Sequence, residues 1–199
     1  MDESAPLWPP MNNKPPTPFS PRELVVWMLS HAMLLSAVGP VVQFASGATP
    51  QGEVLFAIPI TLGIWETILL RRHIRRIWLW LPLTLVGLVL AFVLGIGWFF
   101  IPALGFGFGL AQLPLLVSSG FRYPGFWVLC SGGGWVAGFF AYVALSSALS
   151  RLTTGGGQFW AFYAFAGIPY GIATGLYLYL CSPKLASLSP VPINETLAE

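Results

Sequence analysis

Four arginines within six residues, held between two long apolar stretches, restrict the fold of this chain more than any other feature. Arg71, Arg72, Arg75 and Arg76 surround the stretch His73–Ile74. The flanking segments, EVLFAIPITLGIWETILL and IWLWLPLTLVGLVLAFVLGIGWFF, are predominantly apolar and near the length of a bilayer crossing. Arginine avoids hydrocarbon and is concentrated in cytoplasmic loops. We therefore expect a cytoplasmic turn between two membrane spans, with its arginines next to anionic lipid.

The composition of the chain is far more apolar than that of a soluble domain. Hydrophobic residues make up 56% of its 199 residues and charged residues only 8%, whereas about a quarter of the residues in a typical soluble domain are charged. A water-soluble core of this size cannot bury so much apolar surface. The basic turn is too short and too closely flanked by apolar segments for a nucleic-acid patch, so no nucleic-acid partner is expected.

Six apolar stretches approach the roughly 20 residues that a bilayer crossing needs. They cover residues 24–44, 53–70, 77–96, 98–117, 126–149 and 159–180. The predicted organisation has three parts: a Pro-rich tail (1–23), a six-helix transmembrane bundle (24–180) and a short C-terminal tail (181–199). The expected fold is an all-α integral membrane protein.

The basic residues divide unevenly between the two sides of such a bundle. With both termini in the cytoplasm, eight of the nine basic residues lie on the cytoplasmic side and only Arg151 lies outside. The eight are Lys14, Arg22, Arg71, Arg72, Arg75, Arg76, Arg122 and Lys184. A miscounted span would destroy this division. The charge pattern therefore predicts six spans with cytoplasmic N- and C-termini.

The N-terminal tail contains seven prolines in its first 23 residues and lacks the apolar region of a signal peptide. Proline removes backbone donors and prevents a regular helix, so an extended conformation is expected. Such a segment can dock onto another protein through residues such as Trp8 and Phe19. The tail is the predicted attachment point for partners in a membrane-protein complex.

An internal repeat relates the odd-numbered spans to one another. Each has a tryptophan near its cytoplasmic start and a polar residue four positions later: Trp27 and His31, Trp80 and Thr84, Trp127 and Ser131. The even-numbered spans each have a glycine followed three positions later by a polar residue: Gly63 and Glu66, Gly109 and Gln112, Gly171 and Thr174. Three helical hairpins in the same orientation predict a pseudo-threefold axis along the membrane normal.

The six repeated polar residues are expected at one depth in the membrane. At 1.5 Å per residue, Glu66 lies about 7 Å from Arg71 along its helix, and His31 about 13 Å from Arg22. An ionised Glu66 facing lipid would cost several kcal/mol, so it should point inward and be protonated, or pair with His31 or a turn arginine. Two interpretations remain open for these residues: interhelical hydrogen bonds that hold the hairpins together, or a small binding site.

A cofactor at these residues has limited support in the sequence. One histidine within the spans is too few for a zinc site, and no acidic cluster is present for a di-iron site. A single axial ligand from His31 to a porphyrin or chlorin remains open, so chlorophyll or carotenoid binding is considered. No catalytic constellation is recognised, because Ser131 lacks a paired base and Glu66 lacks a second acid.

Small and aromatic residues suggest how the helices pack and where they meet the membrane surface. Small residues four apart predict close helix contacts; the pairs are Gly105 with Gly109, Gly134 with Gly138, Gly167 with Gly171, and Gly87 with Ala91. Tryptophans near span ends are typical of interfacial belts. The expected belts comprise Trp27, Trp78, Trp80 and Trp127 on one side, and Trp98 and Trp160 on the other.

Two segments, GIWETILLRRHIRRIWLW and GLAQLPLLVSSGFRYPGFWVLCSGGGW, resemble a repeat found in uncharacterised multi-pass membrane proteins of cyanobacteria and Chloroflexi. That repeat typically reads Gly-x-x-Gln-Trp-x-x-Leu-Arg-Arg and precedes a helix that begins with Trp. Here Glu66 replaces the usual Gln, Leu113 replaces the Trp after Gln112, and the unit at Thr174 has no arginine pair. The resemblance covers residues 24–180 and implies a bacterial inner membrane or a thylakoid, without implying an activity.

Two classes of function follow from these observations. The first is a non-catalytic accessory or assembly subunit of a larger membrane complex, such as a photosynthetic one. The second is a small carrier, channel, or pigment- or lipid-binding protein that uses the residues around Glu66. An accessory subunit is the preferred expectation, because the chain has one acidic residue within its spans away from their ends and no constellation typical of an enzyme.

Overall fold

A computed structural model describes residues 17–46, 53–95, 100–152 and 157–183, and this part of the chain is helical without β-strands. Its elements are α1 (Pro21–Ser46), α2 (Glu53–Leu70), α3 (Trp80–Leu94), α4 (Phe100–Ser118), α5 (Gly125–Leu152) and α6 (Gly157–Cys181), with one 3-10 turn (Ile77–Leu79) before α3. The all-α class and a helix in each of the six apolar stretches are thereby confirmed.

Helix α1 begins at Pro21, three residues before the predicted start of the first span. Ser20 and Glu23 form a capping box: the Ser20 N–H donates to Glu23 Oε2 (2.8 Å) and the Glu23 N–H donates to Ser20 Oγ (3.3 Å). Proline is favourable at the first helical position because its missing N–H would have no helical partner there. The predicted tail therefore ends inside the first helical turn.

The six helices form a closed ring in chain order, because α6 packs against α1 as well as α5. The contacts α3–α4, α4–α5, α5–α6 and α6–α1 are close, whereas α2 packs less closely against α1 and α3. Helices α1, α3 and α5 begin at the end where α2, α4 and α6 finish. We call this the basic end, because it includes the Arg71–Arg76 turn.

Glycines allow the close helix contacts, as the small-residue pairs predicted. A Cβ atom at Gly87 would lie 2.8 Å from Phe108 Cα on α4, and one at Gly134 would lie 2.6 Å from Tyr170 Cα on α6. Similarly, a Cβ atom at Gly167 would lie 2.8 Å from the carbonyl oxygen of His31 on α1. These backbones approach to distances that larger residues do not permit.

Two helical segments have the length and composition of a membrane span, Ile77–Leu94 and Gly125–Leu145. Only 28% of each segment is buried inside the ring, and the other residues are half-buried or exposed. Shorter apolar helices cover Phe56–Leu70, Pro102–Ser118 and Phe165–Cys181. Large exposed hydrophobic side chains, including Met33, Phe56, Val93, Leu129 and Leu180, cover the outer surface. Two helices could therefore cross a membrane, and the outer surface of the ring is largely apolar.

Hydrogen bonds join the chain segments at the basic end into a circuit. Each segment, from residues 17–20 through the α2–α3 and α4–α5 turns to the end of α6, bonds to the next. The bonds are Thr17 N–H to Arg72 O (3.2 Å), Arg75 N–H to Ser119 Oγ (3.0 Å), Arg122 N–H to Cys181 O (2.9 Å) and Phe19 N–H to Ser182 Oγ (3.1 Å). The circuit fixes the turns relative to one another.

Candidate functional site

The six polar residues singled out in the sequence are all buried inside the ring. His31, Glu66, Thr84, Gln112, Ser131 and Thr174 each have 0% of their surface exposed. One comes from each helix, and we call the set the polar layer. Apolar clusters lie on both sides of it: one includes Leu35, Leu62 and Phe108, and the other, nearer the basic end, includes Phe19 and Leu70.

Three tryptophans bind the even helices at the polar layer. The indole N–H of Trp27 donates to Thr174 Oγ1 (3.0 Å), that of Trp80 to Glu66 Oε2 (2.8 Å) and that of Trp127 to Gln112 Oε1 (3.0 Å). Each bond therefore joins the tryptophan of an odd helix to the polar residue of an even helix. The joined pairs are α1 with α6, α3 with α2, and α5 with α4.

These three tryptophans correct the expectation of an interfacial belt. Trp27, Trp80 and Trp127 are completely buried, whereas Trp78 is 67% exposed. The three buried tryptophans lie one helical turn before His31, Thr84 and Ser131, on the same inward face. A buried indole N–H needs an acceptor, and the even helices provide one in each case. Only Trp78 among the four has the exposure of an interfacial residue. The belt predicted at the opposite end, Trp98 and Trp160, lies outside the residues whose side chains the structure describes, and it stays a prediction.

Glu66 lies at the centre of the polar layer and has four neighbours that can donate a hydrogen bond. Tyr170 O–H donates to Oε1 at 2.7 Å, and His31 Nε2 lies 3.3 Å from the same oxygen. Trp80 Nε1 and Gln112 Nε2 donate to Oε2 at 2.8 and 3.3 Å. A carboxylate accepts about four hydrogen bonds, so the carboxylate of Glu66 is saturated by protein groups.

Gln112 connects the carboxylate to α3 and α5. Its Oε1 accepts the indole N–H of Trp127, which can only donate, and this contact fixes the orientation of the amide. Its Nε2 then donates to Thr84 Oγ1 at 2.9 Å and to Glu66 at 3.3 Å. The Thr84 hydroxyl donates in turn to the carbonyl oxygen of Trp80 at 2.9 Å. Helices α2, α3, α4 and α5 thus share one hydrogen-bond network.

His31 has a hydrogen-bond partner at both ring nitrogens. Nδ1 lies 2.7 Å from the carbonyl oxygen of Trp27, which can only accept, so Nδ1 carries a hydrogen. Nε2 either carries a second hydrogen and faces an ionised Glu66, or accepts the proton of a neutral Glu66. This pairing is one of the two that the sequence proposed for Glu66.

The hydroxyl groups of Ser131 and Thr174 bond to the backbone of even helices. Ser131 Oγ donates to the carbonyl oxygen of Gly105 at 2.7 Å, and Thr174 Oγ1 donates to that of Tyr170 at 2.6 Å.

Tyr170 belongs to the site, but the sequence does not predict it. It is fully buried one turn before Thr174. The corresponding residues in the other repeats, Leu62 and Phe108, are apolar, so the repeat gave no signal for a hydroxyl at this position.

The hydrogen bonds of His31 do not favour its ring as a ligand for a metal or a pigment. Both ring nitrogens are engaged in hydrogen bonds, so neither has a lone pair directed at a porphyrin or chlorin metal. Within the described ranges, no group of three or more His, Cys, Asp or Glu side chains could hold a metal ion. The polar layer, as arranged, binds its own helices together.

A second polar cluster lies at the basic end, around His73. The ring Nδ1 of His73 lies 2.8 Å from the carbonyl oxygen of Thr17, and Nε2 lies 3.2 Å from Glu23 Oε1. Phe19 packs edge-on against the same ring, with centroids 5.1 Å apart, and is almost completely buried. Burial alone would raise the pKa of Glu23, but hydrogen bonds from Ser20 and the nearby His73 bring that pKa below its ordinary value of 4.5.

We expect this cluster to make stability sensitive to acid. Because the pKa of Glu23 is lower in the folded state, its carboxylate stabilises the fold above pH 4.5, and that stabilisation is lost as the pH falls through the folded-state pKa. The effect should be below about 1 kcal/mol, since solvent screens a side chain that is 38% exposed. Melting curves in detergent between pH 3 and 7 should show a smaller acid-induced decrease in Tm for Glu23→Gln than for the wild type. If the acid-induced decrease in Tm persists in Glu23→Gln but disappears in the neighbouring control Arg22→Gln, the acid sensitivity does not come from Glu23.

No protein-family model matches the chain, and neither a curated protein nor a solved structure is significantly similar to it. The function is therefore argued from the geometry of the polar layer and the basic end.

Proposed function

We propose that the protein is a non-catalytic integral-membrane subunit that supports the assembly of a larger membrane complex. The observation that carries this proposal is the carboxyl group of Glu66, whose two oxygens are both engaged by protein groups, namely Tyr170, His31, Trp80 and Gln112. A substrate or transported ion would have to displace these internal partners. A structural role needs no such change, since interhelical hydrogen bonds of this kind stabilise membrane bundles by about 1 kcal/mol each.

In this proposal all six helices cross the membrane as three hairpins in the same orientation. The three corresponding indole hydrogen bonds of Trp27, Trp80 and Trp127 support a pseudo-threefold arrangement. The arginines of the basic end support cytoplasmic termini. The resemblance of the hairpin units to proteins of phototrophic bacteria favours a bacterial inner membrane or a thylakoid, and a photosynthetic complex as the assembly.

The outer surface of the ring and the N-terminal tail are the proposed contacts with partners. Exposed apolar side chains on every helix, such as Leu29, Phe92 and Phe140, suit lipid or the spans of neighbouring subunits. Residues 1–16 lie outside the described part of the chain. They continue from Thr17, whose backbone is bonded to Arg72 at the basic end. A Pro-rich segment that leaves from this face would meet partners on the cytoplasmic side.

Truncations of the tail should separate partner binding from stability. Removing residues 1–16 should release the protein from its complex and leave its Tm unchanged. Removing residues 1–20 should also lower the stability by about 3 kcal/mol, because the N-cap Ser20 and the buried Phe19 are lost. The measurement is gentle detergent purification of tagged protein with partner identification by mass spectrometry, followed by thermal melting and an absorption spectrum.

Two outcomes would contradict these expectations. If a variant lacking residues 1–16 retains every partner, the tail has no role in partner binding. If the wild-type protein purifies alone, the proposed function is refuted.

A second candidate is a carrier or a pigment- or lipid-binding protein that uses the polar layer. The observation in its favour is the completely buried contact between His31 Nε2 and Glu66 Oε1, 3.3 Å apart inside the bundle. The purification described above also addresses this candidate. Chlorin or carotenoid absorbance that persists in Glu66→Gln and disappears in His31→Gln would favour pigment binding at His31.

A further inference from the structure

The arginines at the basic end are exposed and lack acidic partners within the described residues. Arg71, Arg72, Arg75, Arg76 and Arg122 all have exposed side chains. Among the described residues, the ion pairs are His31–Glu66 and His73–Glu23. Glu66 is buried far from the surface, and Glu23 is already bonded to Ser20 and His73. Arg22, at the start of α1, is also exposed, so six guanidinium groups of the described residues face outward with their hydrogen-bond donors available to an external anion.

The two turns that carry these arginines are held in fixed conformations. Arg76 and Tyr123 both have positive φ angles, 55° and 47°, and both lie four residues before a buried tryptophan. A non-glycine residue in this region costs roughly 1 kcal/mol or more, so the surrounding contacts must determine the conformation. The bonds from Arg75 to Ser119 and from Arg122 to Cys181 supply such contacts. Little backbone conformational entropy therefore remains to be lost when a ligand binds to these turns.

Exposed aromatic and apolar residues adjoin the arginines. Trp78 is 67% exposed, Tyr123 is 71% exposed and Phe126 is 58% exposed, all at the beginning of α3 or α5 or in the turns before them. Further along α3, Val86 and Val89 continue the outward apolar surface. A molecule that contacts this region meets positive charge, then amphipathic aromatic rings, then hydrocarbon. This order matches an amphiphile with an anionic head rather than a nucleic acid.

We infer that the basic end binds anionic phospholipid headgroups, with the arginines of the α2–α3 turn on the phosphates and Trp78 and Tyr123 at the glycerol level. Arginine binds phosphate oxygens with two parallel N–H groups, which suits this role. The inference rests on the proposed membrane placement and adds a ligand class to it. The acyl chains would lie along the exposed surfaces of α3 and α5.

Lipid retention by the intact protein tests this inference. The full-length protein is reconstituted in vesicles of equal phosphatidylglycerol and phosphatidylcholine, released in mild detergent, and its retained lipids are counted by native mass spectrometry. The wild type should retain phosphatidylglycerol preferentially. Because one basic residue near a membrane surface changes affinity by about fivefold, the double variant Arg75→Gln with Arg76→Gln should reduce the enrichment by at least about that factor. The control Arg151→Gln, near the opposite end of α5, should leave it unchanged.

Each outcome distinguishes the headgroup site from the proposed function. If the protein resists carbonate extraction from membranes but retains both lipids equally, the headgroup site is refuted and the membrane subunit stands. If carbonate extracts the protein, both proposals fail. If polyglutamate binds with the same dependence on Arg75 and Arg76 while phosphatidylglycerol is not enriched, an acidic protein partner replaces the lipid. Equal losses in the double variant and in Arg151→Gln would also refute a site at the basic end.

Discussion

Replacing Glu66 with leucine is expected to lower the free energy of unfolding by about 2–5 kcal/mol. The substitution removes the acceptor of the Trp80 indole N–H, which can only donate, and the acceptor of the Tyr170 hydroxyl. Both groups are completely buried, so water cannot replace the lost partner in the folded state. Unfolding in mixed micelles with increasing SDS, followed by tryptophan fluorescence, measures the difference.

The matched variant Glu66→Gln should lose less than about 1 kcal/mol. The amide oxygen can accept from Trp80 and Gln112, as Oε2 of Glu66 does. The amide nitrogen can donate to the Tyr170 oxygen and to a neutral His31 Nε2, which are the groups now facing Oε1. If Glu66→Gln is as unstable as Glu66→Leu, the hydrogen bonds alone do not account for the stability, and the carboxyl group itself is required at this position.

Alanine at Gly134 is expected to destabilise the bundle by about 2–3 kcal/mol, although the change adds only one methyl group. That methyl carbon would lie 2.6 Å from Tyr170 Cα, 3.0 Å from its backbone nitrogen and 3.2 Å from the carbonyl oxygen of Pro169. These are backbone atoms of α6, so relief requires the helices to separate. Separation would also move the Tyr170 hydroxyl away from Glu66.

The adjacent Gly133 provides the control, because a Cβ atom there has nothing within 4 Å. Gly133→Ala should leave stability unchanged or raise it by up to about 1 kcal/mol through better helix propensity. The two variants have the same composition and differ only in which face of α5 receives the methyl group. The same SDS titration compares them, and equal stabilities would show that α5 and α6 are not in backbone contact at Gly134.

Much of the fold could be predicted because an apolar stretch of about 20 residues is typical of a single helix. The stretches 53–70 and 98–117 were identified from apolar length alone, and helices α2 and α4 lie there. The polar layer followed from spacing, since His31, Glu66 and Gln112 are polar residues at equivalent positions in otherwise apolar segments. A polar residue in such a segment must face inward to find a partner.

The parts that could not be predicted depend on contacts between distant segments. Tyr170 donates to Glu66 across 104 positions of the chain, and its hydroxyl has no counterpart at Leu62 or Phe108. The sequence indicates that Trp27, Trp80 and Trp127 lie near span ends but not that they point inward, because position along a helix is readable from sequence whereas direction depends on the neighbouring helix. Trp27 and Trp78 illustrate the difference: both are near a span end, but only Trp78 is exposed.

The three indole hydrogen bonds differ greatly in when they can form during synthesis. Trp80 and Glu66 are 14 residues apart, and Trp127 and Gln112 are 15 apart, so each pair can meet soon after both residues leave the ribosome. Trp27 and Thr174 are 147 residues apart. At typical translation rates of 5–20 residues per second, Trp27 waits roughly 7–30 s for its acceptor. During that time α1 has its final neighbour on one side only, which gives a chaperone an interval in which to hold it.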